Sequence, residues 1–408
     1  MSPQNRFMPY PETRALEYVA DVLRAVPTRI HRVLWPVWCV EIRSEVTEGE
    51  PYELIDRFLE KAVATAGLDR TEDLAAFLAL EPQLVEQALR FLDAIGHIRH
   101  CDDGRIQLTE LGLRSVRDDL RYTATSEDHR NLYFDGLASR PLTSLYYDER
   151  KVTYLSPAQA QKETHRRDGT CPYLLPIPRG FRREALRELA AGPERELYNL
   201  PQRIENPQIE AEELMYMPTY VVRAADADGT PRHFVFAQAA GEADGELTAV
   251  CEDTPDVVAA LEEEEADAGR DQEFRDRASG WLSRRGLAQW CPVKRRSGDW
   301  RVTLPAGCFE PGGPMPLSKL GSYVVLGDSF FHVWCEDERV RRAALLDTMD
   351  AVLSVRSTPD SDAVAARVER ISRRLALSAV GVEDLRRIAA ESGMHALANQ
   401  LGRSGSAT

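Results

Sequence analysis

Lysine is scarce in this chain: only five of its 51 basic residues are lysines, the rest being arginines. With its many alanines, that bias is usual for GC-rich bacterial genomes and carries no mechanism. Close cysteine pairs are missing as well. The seven cysteines, Cys39, Cys101, Cys171, Cys251, Cys291, Cys308 and Cys335, are odd in number and dispersed, with no C-x-x-C. That excludes a disulfide framework or a zinc ribbon and points to reduced thiols filling small apolar spaces. No run approaches the about 18 consecutive apolar residues that a membrane span needs. The opening stretch MSPQNRFMPYPETR lacks a basic segment followed by an apolar one, so no secretory signal is read and the expected location is the cytoplasm, with no membrane partner. No Gly-Lys dipeptide, G-x-S-x-G, G-x-G-x-x-G, H-E-x-x-H or H-x-K occurs. A Walker A phosphate loop, a nucleophile elbow, a dinucleotide fingerprint, a zincin and a phospholipase-D type phosphodiesterase are thereby set aside. Nothing in the sequence calls for a cofactor or a metal.

What is present is a long, ordinary globular composition. At 408 residues, 43% hydrophobic and 29% charged, the chain is expected to form two to three domains with real cores. The formal net charge of −15 repels a polyanion at long range, so any nucleic-acid contact must use a local basic face. The fold class expected is α+β, divided as 1–50, 51–122, 123–355 and 356–408. In the first segment ETRALEYVADVLRAV has apolar residues at helical spacing, and IHRVLWPVWCVEI, with Trp35 and Trp38, reads as core or an interdomain plug, or as a docking patch if exposed. Between 123 and 355 strands and helices mix without β-α-β regularity. There a hairpin is expected around Asp228-Gly229, a strand in GELTAVCED, one long helical pattern from Thr254-Pro255 to Gly286, strands in DWRVTLP and GSYVVLGDSFFHVWCED, and a helix in ERVRRAALLDTMDAVL. RSTPDSD, at 356–362, reads as a linker before two C-terminal helices.

The most regular stretch begins at Pro51. YELIDRFLEKAVATAG is an amphipathic helix stopped by Gly67; Thr71 is placed to cap a second; Pro82 sits in the first turn of a third, whose Leu84, Val85, Ala88, Leu89 and Leu92 are expected inside. HIRHC and RIQLT flank Asp103-Gly104, a strong hairpin signal, and LTELG opens a closing helix. Residues 51–122 resemble the winged helix-turn-helix superfamily, as in bacterial MarR-like and ArsR-like regulators. The resemblance covers less than a fifth of the chain and implies a DNA reader whose third helix enters the groove. On that reading Gln83, Gln87 and Arg90 face bases, and Arg99 and Arg105 on the wing reach a backbone or minor groove. Charge argues the other way: fourteen acidic and nine basic side chains between 51 and 122 leave a net −5, with Glu81 and Glu86 on the reading helix. The shape is that of a DNA reader, while the charge favours dimerisation or protein contact.

A second candidate lies between 275 and 301, where Arg275, Arg277, Arg284, Arg285, Lys294, Arg295, Arg296 and Arg301 interleave with Trp281, Trp290 and Trp300. Arginines that follow a phosphate backbone beside aromatics that stack on bases suit nucleic acid. The alternative puts the tryptophans in a core and pairs the arginines with the acidic helix before them, and the nearness of Glu262 to Asp271 favours it. His165, Arg166, Arg167, Arg179, Arg182, Arg183 and Arg187 form a further basic cluster. His97, His100 and Cys101 suggest a metal only until strand geometry sends the histidines to opposite faces. His332 and Cys335 sit three apart in a strand, which separates them as a Cys/His pair. The carboxylates Glu262 to Glu265 splay around a helix. The function expected is a non-enzymatic DNA-sensing or adaptor subunit of a bacterial multi-protein assembly handling DNA, phage defence being one such setting, with DNA and protein partners or a homodimer. Two alternatives stand beside it: a ligand-responsive winged-helix transcription regulator, and a metal-dependent nuclease whose site is dispersed in sequence.

Overall fold

A computed structural model describes residues 10–46, 49–101, 103–122, 126–165, 171–177, 179–201, 204–263, 268–354, 361–378 and 380–404. With 46% helix and 23% strand the fold is mixed α+β, with helices at its C-terminal end. Among the described residues no helix is long and apolar enough to cross a membrane.

The chain forms two compact units, each discontinuous in sequence: Met1–Val37, Asp148–Arg179 and Met215–Thr408 make one, Trp38–Tyr147 and Gly180–Leu214 the other. A linear division at 50, 122 and 355 does not describe these units. The reason is two very long strands, Val26–Val46 and Ile204–Ala225, each of which carries the chain from one unit into the other. A sheet takes the order 126–135, 26–46, 204–225, 231–236, with Tyr173–Leu174 pairing parallel to Val33–Leu34. Every residue from Ile30 to Val37 is buried, so the apolar stretch around Trp35 is core rather than an exposed patch.

In the smaller unit, helices Leu54–Ala66, Thr71–Leu78 and Pro82–Ala94 precede a hairpin, Ile98–His100 with Ile106–Leu108, and a closing helix Glu110–Asp118. Leu59, Leu74, Val85, Leu89, Leu92, Ile98 and Ile106 form their shared core, which is what the apolar spacing of the three helices demands. Leu84, expected inside with them, is exposed, because it lies at the edge of that stripe. The first helix ends on left-handed Gly67 and the hairpin turns on left-handed Gly104. Thr71 is not a cap: Arg70 holds that position and no side chain caps the second helix. A separate core joins Val40, Ile42, Leu132 and Phe134 to Leu186 and Leu189 of helix Glu184–Ala191.

In the larger unit, the end of the strand Ile204–Ala225 pairs antiparallel with Pro231–Phe236 around a turn at left-handed Gly229, as expected. Leu16 and Val19 of helix Glu12–Asp21 bury with Tyr220 and Phe236. GELTAVCED is a helix, Gly245–Glu252, not a strand. The Asp244 carboxylate accepts the Leu247 N–H at 2.8 Å and so caps its first turn, a local bond that outweighs the strand preference of Thr248 and Val250. The pattern after Thr254 gives two helices, Pro255–Glu263 and Ala268–Ser283. Four strands order as 293–294, 300–303, 329–334, 323–326, the middle pair parallel. Helix Glu338–Leu353 follows, its first turn capped by Asp337. Three C-terminal helices come next, Ser361–Arg374, Val382–Glu391 and His395–Ser404, where the sequence suggested two. They are docked: Val368, Ile371, Leu385, Leu397 and Leu401 share one core with Phe331, Val333 and Met349. Most of the linker read at 356–362, half of the Glu262–Glu265 run, and Arg166 with Arg167 lie outside the described residues.

Candidate nucleic-acid interface

The larger unit holds a basic pocket of about 340 Å³ that the arginine-rich stretch only partly foreshadowed. One wall is a tight hairpin, in which Val293–Lys294 pairs antiparallel with Arg301–Trp300. Its turn closes by Arg295 N–H donating to the Asp299 carbonyl at 2.8 Å and Gly298 N–H to the Arg295 carbonyl at 3.0 Å. Gly298 is left-handed, and a Cβ there would press on Thr28 Cγ2 at 3.3 Å, so only glycine lets this tip approach the strand opposite. The buried Asp299 carboxylate takes the Arg295 guanidinium, with Nε at 2.8 Å, and also accepts from Ser297 Oγ. Arg295 is therefore spent on the turn, which presents its neighbours Lys294 and Arg296 to the pocket.

The other walls come from far away in sequence: Thr28 and Arg29 open one long strand, Arg223 to Ala225 close the other, and Asp271 lies on helix Ala268–Ser283. Arg29 donates to Ser329 Oγ and meets Asp271 Oδ1 at 3.4 Å, while Lys294 Nζ donates to Asp271 Oδ2 at 2.7 Å. Arg223 donates to Thr28 Oγ1 at 3.3 Å. Four cations, Arg29, Arg223, Lys294 and Arg296, thus line the pocket with a single carboxylate, Asp271, which holds Arg29 and Lys294. Arg296 is exposed and makes no ion pair or side-chain hydrogen bond among the described residues. Such a concentration of positive charge in a concave, partly desolvated site attracts an anion bearing several oxygens.

The tryptophans do not supply stacking platforms. Trp300 is only 2% exposed, with Arg275 5.1 Å and Lys294 5.7 Å from its ring. Trp281 has Arg285 3.6 Å over its face and Phe331 edge-on at 5.5 Å, and Trp290 packs against the same core. Trp300 thus belongs to the core and Trp281 and Trp290, half-buried, pack against it, while of the basic side chains in this stretch Lys294 pairs with Asp271 and Arg295 with Asp299. Arg284 and Arg285 are exposed just past that helix and do not line the pocket. In the other basic cluster Arg182 is held bidentately by Glu188 at 2.7 and 2.9 Å and Arg183 by Glu212 at 3.0 Å.

In the smaller unit Gln83, Gln87 and Arg90 lie at i, i+4 and i+7 along the exposed face of helix Pro82–Ala94. Arg90 donates Nε to the Glu86 carbonyl of its own helix. On the hairpin Arg99 bonds Gln107 across the two strands at 2.7 Å, and Arg105 pairs with Asp103 at 3.1 Å. These two hairpin arginines are engaged within the module, and the helix keeps Glu86 and Asp93 near its single arginine.

Sequence reasoning missed the polar centre of that module. His97 is fully buried, its Nε2–H donating to the Tyr122 carbonyl and its Nδ1 meeting the Glu60 carboxylate, which also accepts from Tyr52 OH. Ser115 Oγ accepts the Tyr122 N–H at 3.2 Å. His97 is a structural hub and His100 an exposed strand residue. The one signal available was Glu60, a carboxylate set beside Leu59 on the apolar side of its helix.

A larger cleft of about 830 Å³ in the larger unit sets Arg14, Arg367, Arg370 and Arg374 against Glu17, Asp21 and Glu242. Its charges offset one another, with Arg374 2.8 Å from Glu17. Burial pushes His332 down to about 4, with Arg301 adding to it, and pushes the Cys335 thiol up, so neither is prepared for nucleophilic work. Among the described residues no three His, Cys, Asp or Glu side chains are grouped to hold a metal ion. No family model, no curated protein and no solved structure matches this chain.

Proposed function

We propose that the chain is a non-enzymatic, DNA-sensing or adaptor subunit of a bacterial assembly that handles DNA, phage defence included, and that it holds nucleic acid by its backbone phosphates in the basic pocket. The observation that carries this reading is that Arg29, Arg223, Lys294 and Arg296 line one pocket with Asp271 as its single carboxylate. Phosphate contacts neutralised by such side chains supply sequence-independent affinity and release counterions. Trp300, the tryptophan that lines the pocket, is buried in the core, and contacts to phosphates carry no base information, so binding should be indifferent to sequence. On this reading the helices and hairpin at 54–118 form a winged-helix module turned to protein contact.

The test is a pair of substitutions, Lys294→Ala with Arg296→Ala, in fluorescence anisotropy with labelled DNA across a salt series. Each lost phosphate contact should lower the slope of log affinity against log salt by about 1, so the double variant should lose about 2. An unchanged slope would remove the pocket from the interface. The concave shape of the site favours a second reading, a regulator whose pocket senses a small phosphorylated ligand. A free nucleotide that competes DNA away at concentrations where inorganic phosphate does not would favour that one.

A further inference from the structure

We infer that the basic pocket is an end site: it takes the terminal phosphate monoester of a nucleic-acid strand in preference to the phosphodiesters along the strand. This deepens the phosphate-binding reading of that pocket and rests on it. At about 340 Å³ the pocket is at the small end of the about 300–1,000 Å³ that clefts for small molecules span. Four separate segments wall it: the hairpin tip at Ser297-Gly298, the start of strand Val26–Val46, the turn from Ala225 to Pro231, and Asp271 of helix Ala268–Ser283. Two of its cations stand inside it, Arg29 at 14% exposure and Arg223 part-buried with its guanidinium on Thr28 Oγ1. A phosphate in mid-strand must bring chain on both sides into that space to reach them. A terminal phosphate has chain on one side only and enters head first.

Charge agrees with size. Arg29, Arg223, Lys294 and Arg296 against Asp271 leave the pocket a net charge of +3. A diester brings a single negative charge, whereas a terminal monoester brings about −1.5 to −2 at pH 7 on three acceptor oxygens, and the diester behind it adds one more. Nor does the positive charge continue outward along the chain. On the hairpin Arg295 is taken by Asp299 at 2.8 Å, and past the turn Arg232 is taken by Glu252 at 2.9 Å. The turn itself reads Asp226-Ala227-Asp228, with Asp228 exposed next to Gly229 of the pocket wall. On the helix, exposed Arg275 is accompanied by exposed Glu273 and Asp276. A protein that follows a strand lines a groove with basic side chains; here they converge on one place, and their neighbours are paired or acidic.

The experiment uses the full-length chain and a single-stranded DNA oligonucleotide, labelled at an internal base, in four forms: 5′-phosphorylated, 3′-phosphorylated, hydroxyl at both ends, and closed into a circle. Anisotropy at one salt concentration should show a phosphorylated form binding at least about tenfold more tightly than the hydroxyl-ended form, and the circle no more tightly than the latter. Lys294→Ala with Arg296→Ala, both at exposed positions, should abolish that preference with an unchanged circular dichroism spectrum. Asp271→Asn, which releases Lys294 and Arg29, should widen it. A mononucleotide and inorganic phosphate, which lack the diester behind the terminal group, should displace the phosphorylated strand alike and only weakly. Equal binding of all four forms, still lost on Lys294→Ala with Arg296→Ala, would overturn the end site and leave a backbone-phosphate pocket standing. Failure of all four to bind would overturn both. A mononucleotide that displaces the strand where inorganic phosphate does not would overturn the end site in favour of a free nucleotide.

Discussion

Replacing Gly112 with alanine should damage the three-helix module far more than a methyl group on a surface helix would suggest. Gly112 is the third residue of the closing helix and is buried against the start of the hairpin. A Cβ there would stand 2.9 Å from Leu108 Cδ2 and 3.0 Å from the His97 carbonyl carbon, and closer still to its oxygen. Carbon atoms in contact normally sit about 3.5–4.0 Å apart, so the helix must retreat by about 0.5–1 Å. That retreat pulls on the Thr109 N–H bond to the His97 carbonyl, now 2.8 Å, on the Thr109 hydroxyl that caps Gly112 N–H at 3.2 Å, and on Ser115, which holds the Tyr122 N–H. Overpacking of about 1–3 kcal/mol and a weakened cap of about 1 kcal/mol together give about 2–4 kcal/mol. Urea unfolding followed by circular dichroism should show it, with Gly245→Ala as the control. Gly245 opens a helix, its Cβ would meet nothing within 4 Å, and alanine there should be neutral or slightly stabilising. If Gly112→Ala unfolded within about 0.5 kcal/mol of the parent, the close approach of helix and hairpin would be wrong.

Glu60→Ala should cost about 3–5 kcal/mol, because it strands the buried His97 ring and the Tyr52 hydroxyl, whereas Glu60→Gln, which still offers an oxygen to Tyr52, should cost clearly less; equal costs in urea titration would refute the hub. Burial, only partly offset by Arg374, pushes the Asp21 carboxyl up to about 6, against 3.8 in an unfolded chain. The folded state therefore holds that proton more tightly, and this contribution to stability is lost as pH rises from about 4 through about 6. Asp21→Asn should gain on the parent across that window, and a difference that stays constant between pH 4 and pH 7 would contradict the shift.

The parts of this fold that were legible in the sequence are those governed by local chemistry. Apolar spacing and Gly67 delimited the first helix of the module, Asp-Gly turns located both hairpins, and the pattern of ERVRRAALLDTMDAVL located the helix Glu338–Leu353. What stayed hidden depends on residues brought together from a distance. The strand Val26–Val46 reads as an apolar plug because it is buried along Ile30 to Val37 and so shows no alternation. Lys294 and Arg296 were visible as a basic run, but nothing near them in sequence announces Thr28, Arg29 and Arg223 across the pocket. The tryptophans left two readings open for the same reason: an aromatic between arginines looks alike on a binding surface and in a core whose edge the arginines cover.

The central claim is that this chain neutralises nucleic-acid phosphates with a local basic site despite its net negative charge. Anisotropy of the purified full-length chain with labelled single-stranded and double-stranded DNA, across a salt series, tests it most directly. The account predicts binding that weakens steeply as salt rises, with little dependence on base sequence. Absence of binding to either DNA at low salt would contradict it.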